Sequence, residues 1–134
     1  MTRRQYRENV FKLLFRAEFY DEEEYKGQID SFPSDDTELE IEDDEAQKIK
    51  DKVERIYEKI DEIDDILNEV SKGWKVNRMG KTELTILRLA VYEIKYDDDI
   101  PTSVAINEAV ELSKKYGQED AGAFVNGVLS KVAD

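Results

Sequence analysis

The sequence contains no cysteine and no histidine. Their absence excludes disulfide bonds, thiolate nucleophiles, zinc sites built on Cys or His, and catalytic triads that use His as the base. It also excludes the Glu-x-x-His motif of di-iron helix bundles. Helix breakers are scarce, with two prolines and six glycines in 134 residues. This composition is typical of a mostly helical protein.

Long hydrophobic runs are missing as well. The longest apolar stretches, 84–87 and 89–92, are interrupted by Arg88 and Glu93, whereas a transmembrane helix needs about 20 apolar residues. The basic N-terminus resembles the start of a signal peptide, but charged residues such as Lys12 interrupt the apolar region that would have to follow. We therefore expect one soluble domain over residues 1–134, located in the cytoplasm.

The charge is large and unevenly distributed. The chain has 20 basic and 33 acidic residues, a net charge of −13. Residues 1–20 carry a net +3, residues 21–70 a net −15 and residues 71–134 a net −1. A non-specific nucleic-acid binder is disfavoured, because affinity for phosphates grows with the number of cations presented. The acidic middle is interpreted as a solvated face that keeps the protein soluble, which leaves a local basic site at the N-terminus.

Apolar residues recur at helical spacing along most of the chain, which predicts an all-α domain of five to seven helices. In the third helix the apolar positions alternate in steps of three and four from Ala46 to Val70. Thr102 or Ser103 is expected to cap the fifth helix. The acidic residues 34–43 have few apolar anchors and are expected to form a loop. The predicted helices span about 3–20, 22–31, 46–70, 81–96, 102–116 and 119–132.

Acidic side chains are plentiful, but their spacing identifies no catalytic or metal site. The carboxylates at 61, 62, 64 and 65 lie opposite the apolar stripe of the third helix and are expected to be solvated. The acidic run at 35–44 lacks the turn glycine of an EF-hand loop. Gly80-Lys81-Thr82 resembles the end of a phosphate-binding P-loop, but its first glycine is absent. We therefore expect no enzyme activity, no cofactor and no metal.

The arginines of the first helix are the basic site suggested by the charge distribution. Arg3, Arg4 and Arg7, with Arg16 further along, lie off its apolar stripe. Three interpretations remain open on pattern alone. The arginines could be solubilising charges, they could contact nucleic-acid phosphates, or the basic helix could lie on a membrane surface.

Two asparagines and a glycine interrupt apolar helical faces near the C-terminus. Asn107 and Asn126 are expected to be buried and hydrogen-bonded, joining the fifth and sixth helices. Gly127 costs about 1 kcal/mol relative to Ala inside a helix. Close approach of two helices at Gly127 is the expected compensation.

Four motifs lie along nearly the whole chain: Arg4-x-x-Arg7-Glu8, residues 86–93 (ILRLAVYE), residues 104–109 (VAINEA) and residues 124–129 (FVNGVL). In this order and context they resemble the NusB family of bacterial transcription antitermination factors. The resemblance implies a helical bundle of six to seven helices in two packed three-helix subdomains. It also implies binding to boxA RNA of ribosomal-operon leaders, together with NusE, a small-subunit ribosomal protein. The pair would act with NusA, NusG and RNA polymerase.

The resemblance also implies roles for individual residues. The RNA-binding residues would be Arg3, Arg4, Arg7, Asp120 and Phe124, and the partner-binding residues would be Phe15, Tyr92 and Glu93. Phe15 stands where many relatives have Tyr, so a hydroxyl contact is absent there. Asp120 would repel phosphate, and its implied role is to moderate RNA affinity. A basic partner that supplies part of the RNA surface would explain why an RNA-binding protein is acidic.

Two alternatives differ from this function. One is a helical adaptor that binds proteins and has no RNA affinity, which the net charge favours. The other is a detached NusB-like domain of an RNA methyltransferase. Such enzymes carry a catalytic domain with a glycine-rich cofactor loop, which this sequence does not contain.

Overall fold

The computed structural model describes residues 1–33 and 41–134. Over these ranges it contains seven α-helices, two short 3-10 turns and no strand. The all-α prediction is thereby confirmed. The chain divides into two compact units, Met1–Tyr57 and Glu58–Asp134, and each unit is described in turn.

The first unit is built from α1 (Arg3–Phe15), α2 (Glu22–Asp30) and α3 (Asp43–Glu58). A capping box fixes the start of α1, where Thr2 accepts the Gln5 backbone N–H and Gln5 accepts the Thr2 N–H. The first helix is shorter than predicted, because a 3-10 turn at Arg16–Glu18 ends it. Of the predicted acidic loop, 34–40 lies outside the described residues, and α3 begins at 43.

Most apolar side chains of the predicted stripes are buried in this unit. The central polar contact is made by Tyr25, which is fully buried and donates its hydroxyl to the Leu13 carbonyl at 2.7 Å. Its ring lies 4.9 Å from that of Tyr57. The other buried apolar residues include Val10, Leu14, Ile29, Ile49, Val53 and Ile56.

Tyr25 makes the stability of the protein sensitive to alkaline pH. Burial raises the pKa of the Tyr25 phenol above its ordinary value. The unfolded chain therefore releases this proton near pH ~10 while the folded chain keeps it, so stability is complete below that pH and falls above it. We expect wild type to lose about 1 kcal/mol more than Tyr25→Phe between pH 9 and 11. Urea unfolding at both pH values measures this, and equal losses would contradict it.

The second unit contains α4 (Ile60–Val70), α5 (Lys81–Tyr96), α6 (Thr102–Tyr116) and α7 (Ala121–Ala133). The last three helices pack on one another, and α4 packs against α5 and α7. A bidentate ion pair joins α4 to α5, because Arg88 donates to both carboxylate oxygens of Asp64 at 2.9 and 2.8 Å. The fully buried apolar residues include Ile63, Leu67, Ile86, Leu87, Val125 and Leu129.

The predicted third helix is divided in two by Lys59, whose backbone (φ −100°, ψ 5°) leaves the helical region. The residue separates α3 from α4. The sequence does not predict this break, because the apolar residues keep the same spacing on both sides of Lys59. The predicted cap of α6 was also wrong, since Pro101 occupies the N-cap position and no side chain caps the helix.

The expectation of buried asparagines was wrong. Asn107 and Asn126 are both exposed. Gly127 is exposed as well, and a Cβ added there would meet no atom within 4 Å. Close approach is instead required at Gly117, where a Cβ would lie 2.8 Å from the Ala121 Cβ and from the Ser113 carbonyl oxygen. The apolar faces of α6 and α7 were predicted correctly, but they were expected to be wide enough to include Asn107 and Asn126.

Candidate RNA- and partner-binding residues

The predicted RNA-binding arginines lie on the first two turns of α1. Arg3 and Arg4 are exposed at the capped start of the helix. Arg7 is only 8% exposed, although it lies one turn after Arg3. Arg4 and Arg7 both have interaction partners in the folded chain. The guanidinium groups of Arg3 and Arg4 are therefore more accessible to a phosphate than that of Arg7.

The two predicted RNA-binding residues of the second unit lie one turn apart at the start of α7. Asp120 occupies the N-cap position and is exposed, and its backbone carbonyl accepts the Phe124 N–H at 3.3 Å. Phe124 is half-buried. Residues four apart on a helix share a face, so the carboxylate and the phenyl ring belong to one surface. This surface combines a charged group with an aromatic ring suited to stacking.

Tyr92 and Glu93, the predicted partner-binding residues of α5, are both buried. The Tyr92 side chain is 7% exposed and that of Glu93 1%. Both have interaction partners in the folded chain. A carboxylate so completely buried has a structural role in this unit, because a charge removed from water must be paired.

Phe15, the third predicted partner-binding residue, is the middle ring of an aromatic ladder on the first unit. Its ring lies 6.0 Å from Phe11 and 5.2 Å from Phe19. Phe11 is buried, Phe15 is half-buried and Phe19 is 56% exposed. The ladder thus leads from the core to a large apolar side chain on the surface.

Sequence reasoning missed two aromatic residues beside these predicted positions. Phe19 follows Phe15 by four residues, and Tyr96 follows Tyr92 by four. Tyr96 is exposed, and its hydroxyl donates to the Glu62 carboxylate at 2.9 Å. Partial burial and this hydrogen bond raise the pKa of the Tyr96 phenol. The four-residue spacing of aromatic rings was the signal that could have identified both.

The described residues contain no cluster of three or more Asp and Glu side chains placed to hold a metal ion. Of the carboxylates that were expected to be solvated, Asp61, Glu62 and Asp65 are exposed, whereas Asp64 is partly buried and paired with Arg88. In ranges 1–33 and 41–134, every helix is too short or too polar to cross a membrane.

These features define the class of protein as an all-α domain with an exposed arginine pair at one helix start and aromatic side chains at its surface. The family model described as the NusB family matches residues 4–134. The chain belongs to the NusB family.

Relatives match over the full length of the chain. It is 55% identical over 133 residues to the transcription antitermination protein NusB of Agathobacter rectalis, covering 99% of this chain and 100% of the relative. It is 48% identical to the protein of the same name from Lachnoclostridium phytofermentans, with complete coverage of both. These matches agree with the resemblance recognised in the sequence motifs.

Solved structures confirm the fold. T. maritima NusB superimposes with a TM-score of 0.85 at 33% identity, covering 99% of this chain and 91% of that one. A crystal structure of the antitermination factors NusB and NusE in complex with dsRNA gives a TM-score of 0.77 at 29% identity, covering 99% and 98%. The structural likeness therefore extends to a relative crystallised with a protein partner and RNA.

Proposed function

We propose that this protein is a transcription antitermination factor that binds boxA RNA of ribosomal-operon leaders together with NusE. The pair acts in a complex with NusA, NusG and RNA polymerase. The observation that carries the proposal is the exposed arginine pair, Arg3 and Arg4, at the ordered start of α1 in a member of this family. Cations at that position neutralise RNA phosphates.

Each unit offers its own proposed RNA contacts. In the first unit, Arg3 and Arg4 contact phosphates, and the nearly buried Arg7 helps to hold α1 in position. Phe124 offers a ring on which a base can stack, and Asp120 beside it moderates affinity by repelling phosphate. This division separates positioning by charge from recognition of bases.

The proposed contacts with NusE are aromatic in each unit taken separately. The first unit presents the rings of Phe15 and Phe19, and the second presents the ring of Tyr96, while the buried Tyr92 and Glu93 maintain the position of α5. Aromatic side chains are enriched at protein interfaces because they bury a large area at low entropy cost. The net charge of −13 suits a basic partner.

In the proposed function the protein is not an enzyme, and it acts in the cytoplasm, where transcription takes place. It needs no cofactor for the proposed function, because binding of RNA and NusE requires only surface contacts. The methyltransferase alternative has no support among the full-length relatives, which are named antitermination proteins.

The proposal is tested by fluorescence anisotropy with a labelled boxA RNA and a scrambled RNA of the same length, at ~150 mM salt. Salt is fixed because the phosphate contribution depends on it. We expect preferential binding to boxA RNA, tightened by equimolar NusE. Equal binding of the two RNAs, with and without NusE, would favour the adaptor function instead.

A further inference from the structure

The segment 71–82, which comprises the connection between α4 and α5 and the first two residues of α5, has a charge opposite to that of the whole chain. It carries Lys72, Lys75, Arg78 and Lys81 and no acidic residue, in a chain of net charge −13. All four side chains are exposed. Four cations within twelve residues create a local positive potential on a protein of negative net charge.

Trp74, the only tryptophan of the chain, lies at the centre of this connection and is 45% exposed. The Arg78 guanidinium lies over the indole, 5.4 Å from its ring centroid, which is the geometry of a cation–π contact. An exposed indole supported by arginine is a platform on which a nucleobase can stack.

Hydrogen bonds to Asn68 of α4 hold the connection in place. The Asn68 side-chain oxygen accepts the Val76 N–H at 2.9 Å, and the Asn68 carbonyl accepts Lys75 Nζ at 3.3 Å. The Trp74 backbone N–H donates to the Ser71 carbonyl at 2.7 Å, and Met79 is buried. The indole is therefore presented by an ordered backbone, which lowers the entropy cost of binding.

An open pocket lies on the α4 side of the same connection. It has a volume of about 500 Å³ and is lined by Glu69, Val70, Lys72, Gly73 and Lys131. Two lysines face one carboxylate there, so the lining is net basic. Lys131 adds a cation from α7 to those of the connection.

We propose that the segment 71–82 is a second RNA-binding surface that takes an unpaired nucleotide segment. Trp74 stacks on a base, while Lys72 and Arg78 neutralise neighbouring phosphates. An RNA duplex does not fit, since its bases are already stacked and cannot reach the indole. An acidic peptide would use the cations and leave the indole without a role. The proposal rests on the proposed RNA-binding function and extends it to residues outside the predicted site.

Because Trp74 is the only tryptophan, the tryptophan emission of the unmodified chain, excited selectively over its tyrosines, reports on this surface alone. The full-length protein is titrated with single-stranded boxA RNA at ~150 mM salt. We expect a saturable quenching of tryptophan emission, with the same midpoint as the anisotropy of labelled RNA. Stacking of a base on the indole is the physical cause of the quenching.

Variants test the contribution of each group. We expect Trp74→Ala to weaken RNA affinity by about 5- to 150-fold and Trp74→Phe to retain most of it, because a phenyl ring also stacks. Lys72→Gln should reduce the slope of log affinity against log salt by ~0.7. Lys114→Gln is the matched control, since it removes one exposed cation from α6. Thermal denaturation establishes that the variants are folded.

Each result decides between the proposals. Anisotropy binding with unchanged tryptophan emission and an unchanged affinity of Trp74→Ala would overturn the second surface and leave the proposed function intact. No RNA binding by either readout would overturn both. Quenching by polyglutamate, but not by RNA, would overturn the inference in favour of an acidic protein partner.

Discussion

Glu93→Lys is expected to destabilise the protein by about 3–5 kcal/mol, a large part of the stability of a domain this size. The Glu93 side chain is 1% exposed and has interaction partners in the folded chain. Reversing its charge breaks these interactions and places an ammonium group where water cannot reach it. Urea unfolding followed by circular dichroism measures the loss.

Glu93→Gln is the matched control for that variant. It keeps the shape and a hydrogen-bonding side chain, so a loss of about 1–2 kcal/mol is expected. If Glu93→Lys unfolds at the same urea concentration as wild type, the Glu93 side chain is accessible to water in solution. That result would support the predicted direct contact between Glu93 and NusE. Loss of NusE binding in an unfolded variant would reveal nothing about the interface, so the Gln variant is the one to titrate with NusE.

The double variant Arg3→Gln with Arg4→Gln is expected to bind boxA RNA about 10-fold more weakly at ~150 mM salt. Two phosphate contacts are removed, so the slope of log affinity against log salt should fall by ~1.4. Because both side chains are exposed, thermal stability should change little. Anisotropy titrations at three salt concentrations measure both quantities.

The control for that pair is Lys12→Gln with Lys26→Gln, which removes two exposed cations from α1 and α2. It should leave RNA affinity within about twofold of wild type. An equal loss in the control would mean that only net charge matters, which would contradict a phosphate contact at Arg3 and Arg4. Arg7→Gln provides a further contrast, since removing a nearly buried guanidinium should lower stability by about 1–3 kcal/mol.

Helix positions were predictable because local sequence decides them. Apolar spacing, together with helix breakers and capping residues, placed α2, α5 and α6 within one residue of their observed bounds. Backbone geometry at single residues was less predictable. Neither the break at Lys59 nor the 3-10 turn after Phe15 alters the spacing of apolar residues in the sequence, so periodicity does not detect them.

Motifs in the sequence predicted the residues of the candidate site, but the sequence predicted only in part which of these residues are exposed. The sequence placed Arg3 and Arg4 at the start of a helix, and they are exposed there. It did not distinguish them from Arg7, one turn later and nearly buried. The family motifs identified Tyr92 and Glu93, but a motif does not reveal that both side chains are covered. The exposed rings of Phe19 and Tyr96 emerged only from the structure.

By itself, the sequence determined the all-α class, the exclusion of cysteine and histidine chemistry, and the family to which the chain belongs. These depend on composition, local periodicity and motif order. Only the tertiary structure decided that Asn107 and Asn126 face solvent, that Glu93 is buried, and that Arg78 lies over Trp74. The physical reason is that burial and side-chain contacts depend on which helices pack together, and a helix's own sequence defines its apolar face without naming what covers it.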